Sequence, residues 1–221
     1  MKKILALLFL TVCLFSRNAN AQEIRLNVYT AYAFDDKFDS YYDSYNYYEG
    51  TIKGGLQYGG GLEYVINHHT GVELIYLGLN TTAPTIYNES YAGGYKSADF
   101  DINLNYVMLG GNRHFGQPEK KIDPFAGLMA GAVFVNIDNP ENGGSGSATK
   151  FAWGLKLGTD IWLSEKIAIK LLGQMVSATQ SMGGSVYFGT GGTGAGVSAY
   201  SSFYQFSLGG GLAFKLGSGA K

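Results

Sequence analysis

The sequence predicts an all-β fold: an eight-stranded antiparallel up-and-down transmembrane β-barrel with short periplasmic turns and long extracellular loops. Three observations predict it. The chain opens on an export signal, strand-length segments with a two-residue polarity period recur after it, and the connections between them alternate short and long. Strands of about 9 to 11 residues with one apolar and one polar face are the building unit of a membrane barrel.

Met1, Lys2 and Lys3 make a positive start, Ile4 to Phe15 an apolar run, and Ala19-Asn20-Ala21 a small-x-small cleavage pattern before Gln22. The apolar run falls short of the roughly 20 residues a spanning helix needs. Residues 1–21 are therefore expected to be a cleaved secretory signal peptide, and residues 22–221 an outer-membrane β-barrel domain. A lipoprotein signal centred on Cys13 is the weaker alternative, because Val12 is bulky where a small residue is wanted. Cys13 is the only cysteine and leaves with the signal, so the mature chain holds no disulfide and no Cys-based metal site. Without Lys2, Lys3 and Arg17, 13 basic residues face 17 acidic ones, a mature charge of −4 that argues against nucleic acid as a partner. The 33 Gly and 17 Tyr suit a membrane barrel.

Period-two alternation marks eight segments. The first runs from Ile24 to Phe34, with Ile24, Leu26, Val28 and Tyr32 on one face. The second, Leu56 to Ile66, sets Leu56, Tyr58, Leu62, Tyr64 and Ile66 against Gln57, Gly59, Gly61 and Glu63. The third, Gly71 to Asn80, is apolar on both faces at Leu74-Ile75-Tyr76-Leu77. The fourth, Phe100 to Phe115, sets Phe100, Ile102, Leu104, Tyr106 and Met108 against Asp101, Asn103, Asn105, Gly111 and Arg113. The fifth, Pro124 to Asn136, is rich in Gly and Ala, and its facing stays open. The sixth, Phe151 to Leu163, the seventh, Ile167 to Val176, and the eighth, Tyr204 to Leu216, return to clear alternation.

The connections at Asn67 to Thr70, Gly116 to Lys121 and Ser164 to Lys166 are short, whereas Asp35 to Thr51, Thr81 to Asp99, Ile137 to Lys150 and Ser177 to Phe203 are long. Periplasmic turns are short and extracellular loops long in outer-membrane barrels. A soluble lipocalin-type barrel is the competing architecture. It requires bulky apolar groups inside, yet here the opposite face carries Gly59, Gly61, Gly154, Gly158, Gly209 and Gly211 beside Glu63, Asp160 and Lys170. Small and charged groups suit a narrow lumen, and bulky ones suit lipid.

The Ala19-Asn20-Ala21 signal end, the Asn105-Tyr106 strand, Pro124-Phe125-Ala126-Gly127-Leu128 and the closing Gly209-Gly210-Gly211-Leu212-Ala213-Phe214 together resemble the OmpA-like and OmpX-like outer-membrane β-barrel proteins, also called the porin family. The resemblance covers the mature chain and implies a bacterial outer-membrane location, contact with outer-membrane lipids and insertion by the barrel-assembly machinery. The chain departs from the family's pattern where Lys215 to Lys221 follow Phe214, since such barrels commonly end on an aromatic residue.

Little points to catalysis. Gly189-Thr190-Gly191-Gly192-Thr193-Gly194 has the spacing of a dinucleotide fingerprint, but it lies in a Gly/Ser/Thr-rich stretch with no helix to follow. His68 and His69 fall in a predicted periplasmic turn and His114 at the periplasmic end of a strand. These observations predict a non-enzyme with no cofactor and no metal.

Arg25, Glu63, Glu73, Arg113, Asp160, Lys170 and Lys215 fall on the predicted lumen face in the periplasmic halves of their strands. Mixed signs at similar depth predict a charge network plugging a barrel too narrow for a diffusion pore; simple solvation of these groups is the plainer reading. Asp160 is expected opposite Lys170, and Arg113 near Glu73. Loop one, Asp35 to Gly50, combines Asp35, Asp36, Asp39, Asp43 and Glu49 with Tyr41, Tyr42, Tyr45, Tyr47 and Tyr48. Rigid amphipathic Tyr rings favour a recognition surface, although Tyr at strand ends equally supplies an interface girdle. The predicted role is a structural, surface-exposed, loop-presenting barrel, with adhesion or host and ligand interaction through an unknown extracellular ligand. The alternative is a small ion or solute channel.

Overall fold

The computed structural model describes residues 23–43, 46–67, 69–88, 95–117, 120–140, 143–179 and 203–217, without the side chains of 37–49, 86–96, 179, 203 and 217. The signal segment 1–21, His68, Tyr45 and the glycine pattern 189–194 lie outside the described residues. Ten strands follow in order: β1 (Glu23–Ala33), β2 (Asp36–Asp43), β3 (Asn46–Ile52), β4 (Gly55–Asn67), β5 (Thr70–Asn88), β6 (Tyr95–His114), β7 (Ile122–Asp138), β8 (Ser145–Trp162), β9 (Ile167–Thr179) and β10 (Phe203–Gly217).

Eight of them close a barrel in the order β1-β4-β5-β6-β7-β8-β9-β10, each antiparallel to both neighbours, with β10 returning to β1. Closure leaves no unpaired edge in lipid, which is what permits strands to cross a membrane. No described helix is long and apolar enough to do so. The outward face is apolar on every barrel strand, through residues such as Val28, Leu62, Leu74, Leu109, Leu128, Leu157, Leu171 and Leu208. Leu128 is 66% and Leu157 64% exposed. A belt of this kind suits contact with lipid.

Two features depart from the sequence reading. The stretch Asp35 to Thr51 is a hairpin, β2 paired with β3, and β3 in turn pairs with β5 through Tyr48 to Tyr87, Glu49 to Ile86 and Gly50 to Thr85. Tyr, Phe and Thr are strong strand formers, and the upper part of β5 supplies an edge once its pairing with β4 ends at Gln57 and Leu79. The long connections after β5 and β7 are likewise shorter than expected, because β5 and β6 run on to Asn88 and from Tyr95, and β7 and β8 to Asp138 and from Ser145, each pair laddered to its end.

The second departure is the facing of β6. Phe100, Ile102, Leu104, Tyr106 and Met108 point inward, each at most 5% exposed, while Asp101, Asn103, Asn105, Val107, Leu109, Gly111 and Arg113 point outward. The reason lies in two tiers of environment along one strand. Outward residues meet lipid at Val107 and Leu109 and then rise above it at Asn105 and Asn103, where Asn105 accepts a 2.7 Å bond from the Tyr76 hydroxyl. The lumen reverses the order along β5, β6 and β7, apolar in its extracellular half and ionic in its periplasmic half, while β4, β9 and β10 bring the buried Gln57, Gln174, Gln205 and Ser207 into the upper bore. The extracellular half is filled by Leu77, Leu79, Leu104, Tyr106, Met108 and Val133, all buried.

Candidate functional site in the barrel lumen

The periplasmic half of the lumen collects ionisable side chains from all eight barrel strands. Glu63 on β4 and Glu73 on β5 stand directly opposite in the pairing register, a like-charge arrangement that would repel without partners between them. Asn112 on β6 donates to both, at 3.1 Å to Glu73 Oε2. Asn27 on β1 adds a 2.7 Å bond to Glu73 Oε1, and Tyr29 donates its hydroxyl to the same carboxylate. Lys156 on β8 reaches across the lumen to pair with Glu73 Oε2.

A second group lies nearer the periplasmic mouth. His114 on β6 places Nε2 3.1 Å from Glu63 Oε1 and Nδ1 2.9 Å from Asp123 Oδ2. Ionised carboxylates only accept, so both contacts are satisfied when both ring nitrogens carry protons. Asp160 Oδ1 is 2.8 Å from Lys170 Nζ. Arg25 Nη1 lies 3.6 Å from Asp123 and 3.7 Å from Asp160, while its Nε pairs with Glu23. Lys215 completes the rim at 3.0 Å from Glu23, and its ammonium sits 4.1 Å from the centre of the Trp162 ring, which also stacks with Arg25.

Space for these side chains comes from glycine at facing positions. A Cβ on Gly61 would lie 2.2 Å from Glu73 Oε1, and one on Gly71 would lie 2.6 Å from Glu63 Oε1. Absent side chains on β4 and β5 thus let two carboxylates fold down against the wall.

Of the residues singled out from the sequence, Arg25, Glu63, Glu73, Asp160, Lys170 and Lys215 meet in this network, with Asp160 directly opposite Lys170. Arg113 does not. It faces outward with Thr70, to whose Oγ1 it donates at 3.2 Å, because β6 turns the opposite face to the lumen from the one expected. The sequence reading missed Asn27, Asn112, His114, Asp123 and Lys156. Lys156 was legible, since it shares a face with Asp160 four residues on; Asn112 and His114 needed the correct facing of β6. Of loop one, Asp35 accepts a 2.7 Å bond from the Gly54 backbone N–H, and with Lys53 alongside this holds its carboxyl below the usual carboxylate range. The Asp36 carboxylate accepts from the Tyr204 backbone N–H at 3.1 Å. Asp39, Tyr41, Tyr42, Asp43, Tyr47 and Tyr48 lie on β2 and β3.

His114, Asp123 and Asp160 also bring three ligand atoms within 4.8 Å of one another. Arg25 and Lys170 approach the same two carboxylates, so a metal ion there would compete with two resident cations. The arrangement serves as an ion-pair network.

No protein-family model and no curated protein matches the sequence. Solved structures do match the fold. The outer membrane protein OprG from Pseudomonas aeruginosa superposes with a TM-score of 0.55 at 14% identity, over 90% of this chain and 98% of that one. Neisserial surface protein A gives 0.52 at 13% identity, over 87% and 97%. The outer membrane protein AlkL gives 0.51 at 12% identity, over 93% and 95%. The chain has an outer-membrane β-barrel fold. In this barrel the ionic side chains meet across the lumen. Going round the wall, Arg25 on β1 and Asp123 on β7 are diametrically opposed, and Lys156 and Glu73 are three strands apart.

Proposed function

We propose that this protein is a bacterial outer-membrane barrel with a structural and loop-presenting role, its lumen closed to diffusion in the periplasmic half. The observation that carries the reading is the cross-lumen network: Arg25 to Asp123, Lys156 to Glu73 and His114 to Glu63 link non-adjacent strands through side chains at most 12% exposed. Higher up, Gln174 and Ser207 both donate to Gln57 Oε1 across the same bore. An eight-stranded barrel is wide enough for its own side chains and little else.

Recognition is assigned to the extracellular end. There the Tyr-rich β2–β3 hairpin extends the wall above β4, with an unknown extracellular ligand and adhesion as the corresponding role. Outer-membrane lipids surround the apolar belt, and the barrel-assembly machinery inserts it. We assign no catalysis: among the described residues, both nitrogens of His114 are engaged by carboxylates and no hydroxyl or thiol nucleophile lies at hydrogen-bond distance.

Single-channel recording of the purified barrel in planar bilayers tests the closed lumen. The expected result is no steady open-channel current. A steady current would replace this reading with that of a small ion or solute channel.

A further inference from the structure

Asn112, Gly127 and Lys156 form one row on the lumen face across β6, β7 and β8, Asn112 pairing with Gly127 and Gly127 with Lys156. Glycine in the middle leaves the space between the two side chains open. A Cβ on Gly127 would lie 2.5 Å from Asn112 Oδ1 and 2.9 Å from Lys156 Cε, so the amide and the lysine stem converge over that one residue. Two strand spacings put about 10 Å between their backbones, a distance that a lysine and an asparagine side chain joined end to end can span.

Glu73 meets both ends. Its Oε2 accepts from Asn112 Nδ2 at 3.1 Å and pairs with Lys156 Nζ, which places an amine and an amide nitrogen on a single carboxylate oxygen. Glu63 Oε1 accepts a second bond from Asn112 Nδ2 at 2.5 Å and fixes the plane of the amide. Asn112 Oδ1 is buried without a hydrogen-bond partner among the described residues, and it faces the lysine stem over Gly127. Asn112 and Lys156 are 4% exposed and Glu73 1%. On the neighbouring lumen rows, Phe125 stands between His114 and Gly158 and Met129 between Gly110 and Gly154. Both are buried and keep water from the group on either side.

A lysine, an amide and a carboxylate held together out of water supply the parts of an acyl transfer: a nucleophile, an acyl group and a proton carrier. We propose that Lys156 Nζ and Asn112 Cγ become joined in an intramolecular isopeptide bond, with Glu73 as the catalytic base and acid. Glu73 Oε2 takes a proton from the Lys156 ammonium, and the free amine attacks Asn112 Cγ, forming the Nζ–Cγ bond. Glu73 then hands its proton to Nδ2 and the Cγ–Nδ2 bond breaks. Ammonia leaves and takes up the proton that Nζ sheds on becoming an amide, so Glu73 returns to its starting state. No other reactant is needed, and fixed placement replaces the high concentration that an unassisted exchange would require. The product staples β6 to β8 across β7 at the depth of the ionic network. The ion pair of Lys156 with Glu73 is the starting state of this step, and denatured chain returns to it on refolding.

Tryptic mapping of barrel purified from outer membranes tests the bond. Trypsin does not cleave after an acylated lysine, so residues 97–113 and 151–166 should appear as one branched peptide, lighter than the two together by one ammonia. Chain recovered unfolded from inclusion bodies should lack that peptide and gain it on refolding into lipid vesicles, because only the closed barrel brings the three groups together. Lys156→Arg keeps a cation beside Glu73 without an amine that can be acylated; it should refold, as shown by heat-modifiability, without the branched peptide. Glu73→Gln should slow appearance of the peptide about a hundredfold or more, the usual weight of a positioned acid or base. Folded wild type that yields only the separate peptides 97–113 and 151–156 overturns the proposal whatever the variants do. A branched peptide in chain that has never folded overturns it as well, and linkage as fast in folded Glu73→Gln as in wild type removes the role given to Glu73.

Discussion

Glu73 shows how a single buried residue organises the lumen. It accepts from Asn27, Tyr29 and Asn112 and pairs with Lys156, so its charge is met from four directions at 1% exposure. Removing the cation alone leaves an uncompensated buried carboxylate, which typically costs about 3 to 5 kcal/mol. Lys156→Met should therefore lower the urea midpoint of the barrel strongly, and the double variant Lys156→Met/Glu73→Gln should recover most of the loss. Equal midpoints for the single and double variants would show that the pair is not coupled. The glycine opposite is equally specific. With only 2.2 Å between a Cβ on Gly61 and Glu73 Oε1, Gly61→Val should cost about 1 to 3 kcal/mol of overpacking, whereas Gly111→Val, with nothing within 4 Å of its Cβ and a lipid-facing direction, should be near neutral on the same denaturation curve.

At the scale of the element, β6 carries the main lesson. Its outward side passes from lipid-facing Leu109 and Val107 to water-facing Asn105 and Asn103, and its inward side passes from Asn112 and His114 to Leu104 and Ile102. Polarity therefore swaps faces partway along one strand. Cys13 is the only cysteine of the sequence and lies in the segment proposed to be a signal peptide, so a Cys13→Ser background makes a labelling test clean. Asn105→Cys should react with a membrane-impermeant maleimide added outside, and Leu104→Cys should not; the opposite outcome would restore the facing read from the sequence. Arginine substitution asks the same question energetically. Leu109→Arg should cost about 2 to 4 kcal/mol, as at a barrel midplane, and Asn103→Arg about 0 to 1, measured by unfolding in lipid vesicles.

At the scale of the whole molecule, closure of the barrel is separable from the hairpin proposed for recognition. The ladder from β1 through β4 to β10 needs neither β2 nor β3, and these two add the upper wall beside β5 and one bond from Asp36 to the Tyr204 backbone on β10. Replacing residues 37–50 by a short turn should leave membrane insertion and heat-modifiability on a gel intact while abolishing whatever cell or ligand adhesion the parent shows. Loss of heat-modifiability would make the hairpin part of the framework.

The amino-acid sequence by itself determined that this chain is a barrel of eight alternating strands, because a period of two with bulky apolar residues on one side and glycine or charge on the other is imposed locally by the pleat and by lipid. It also placed Asp160 opposite Lys170, since a three-residue turn leaves one register. It did not determine which face of β6 looks inward, because alternation states that two faces differ and not which one meets the lumen when both change character along the strand. Nor did it show that Lys156, His114 and Asn112 converge on Glu73 and Glu63, for those meetings cross the bore between strands far apart in the sequence. Only closure of the sheet brings such groups within hydrogen-bond distance, and closure is a property of all eight strands together.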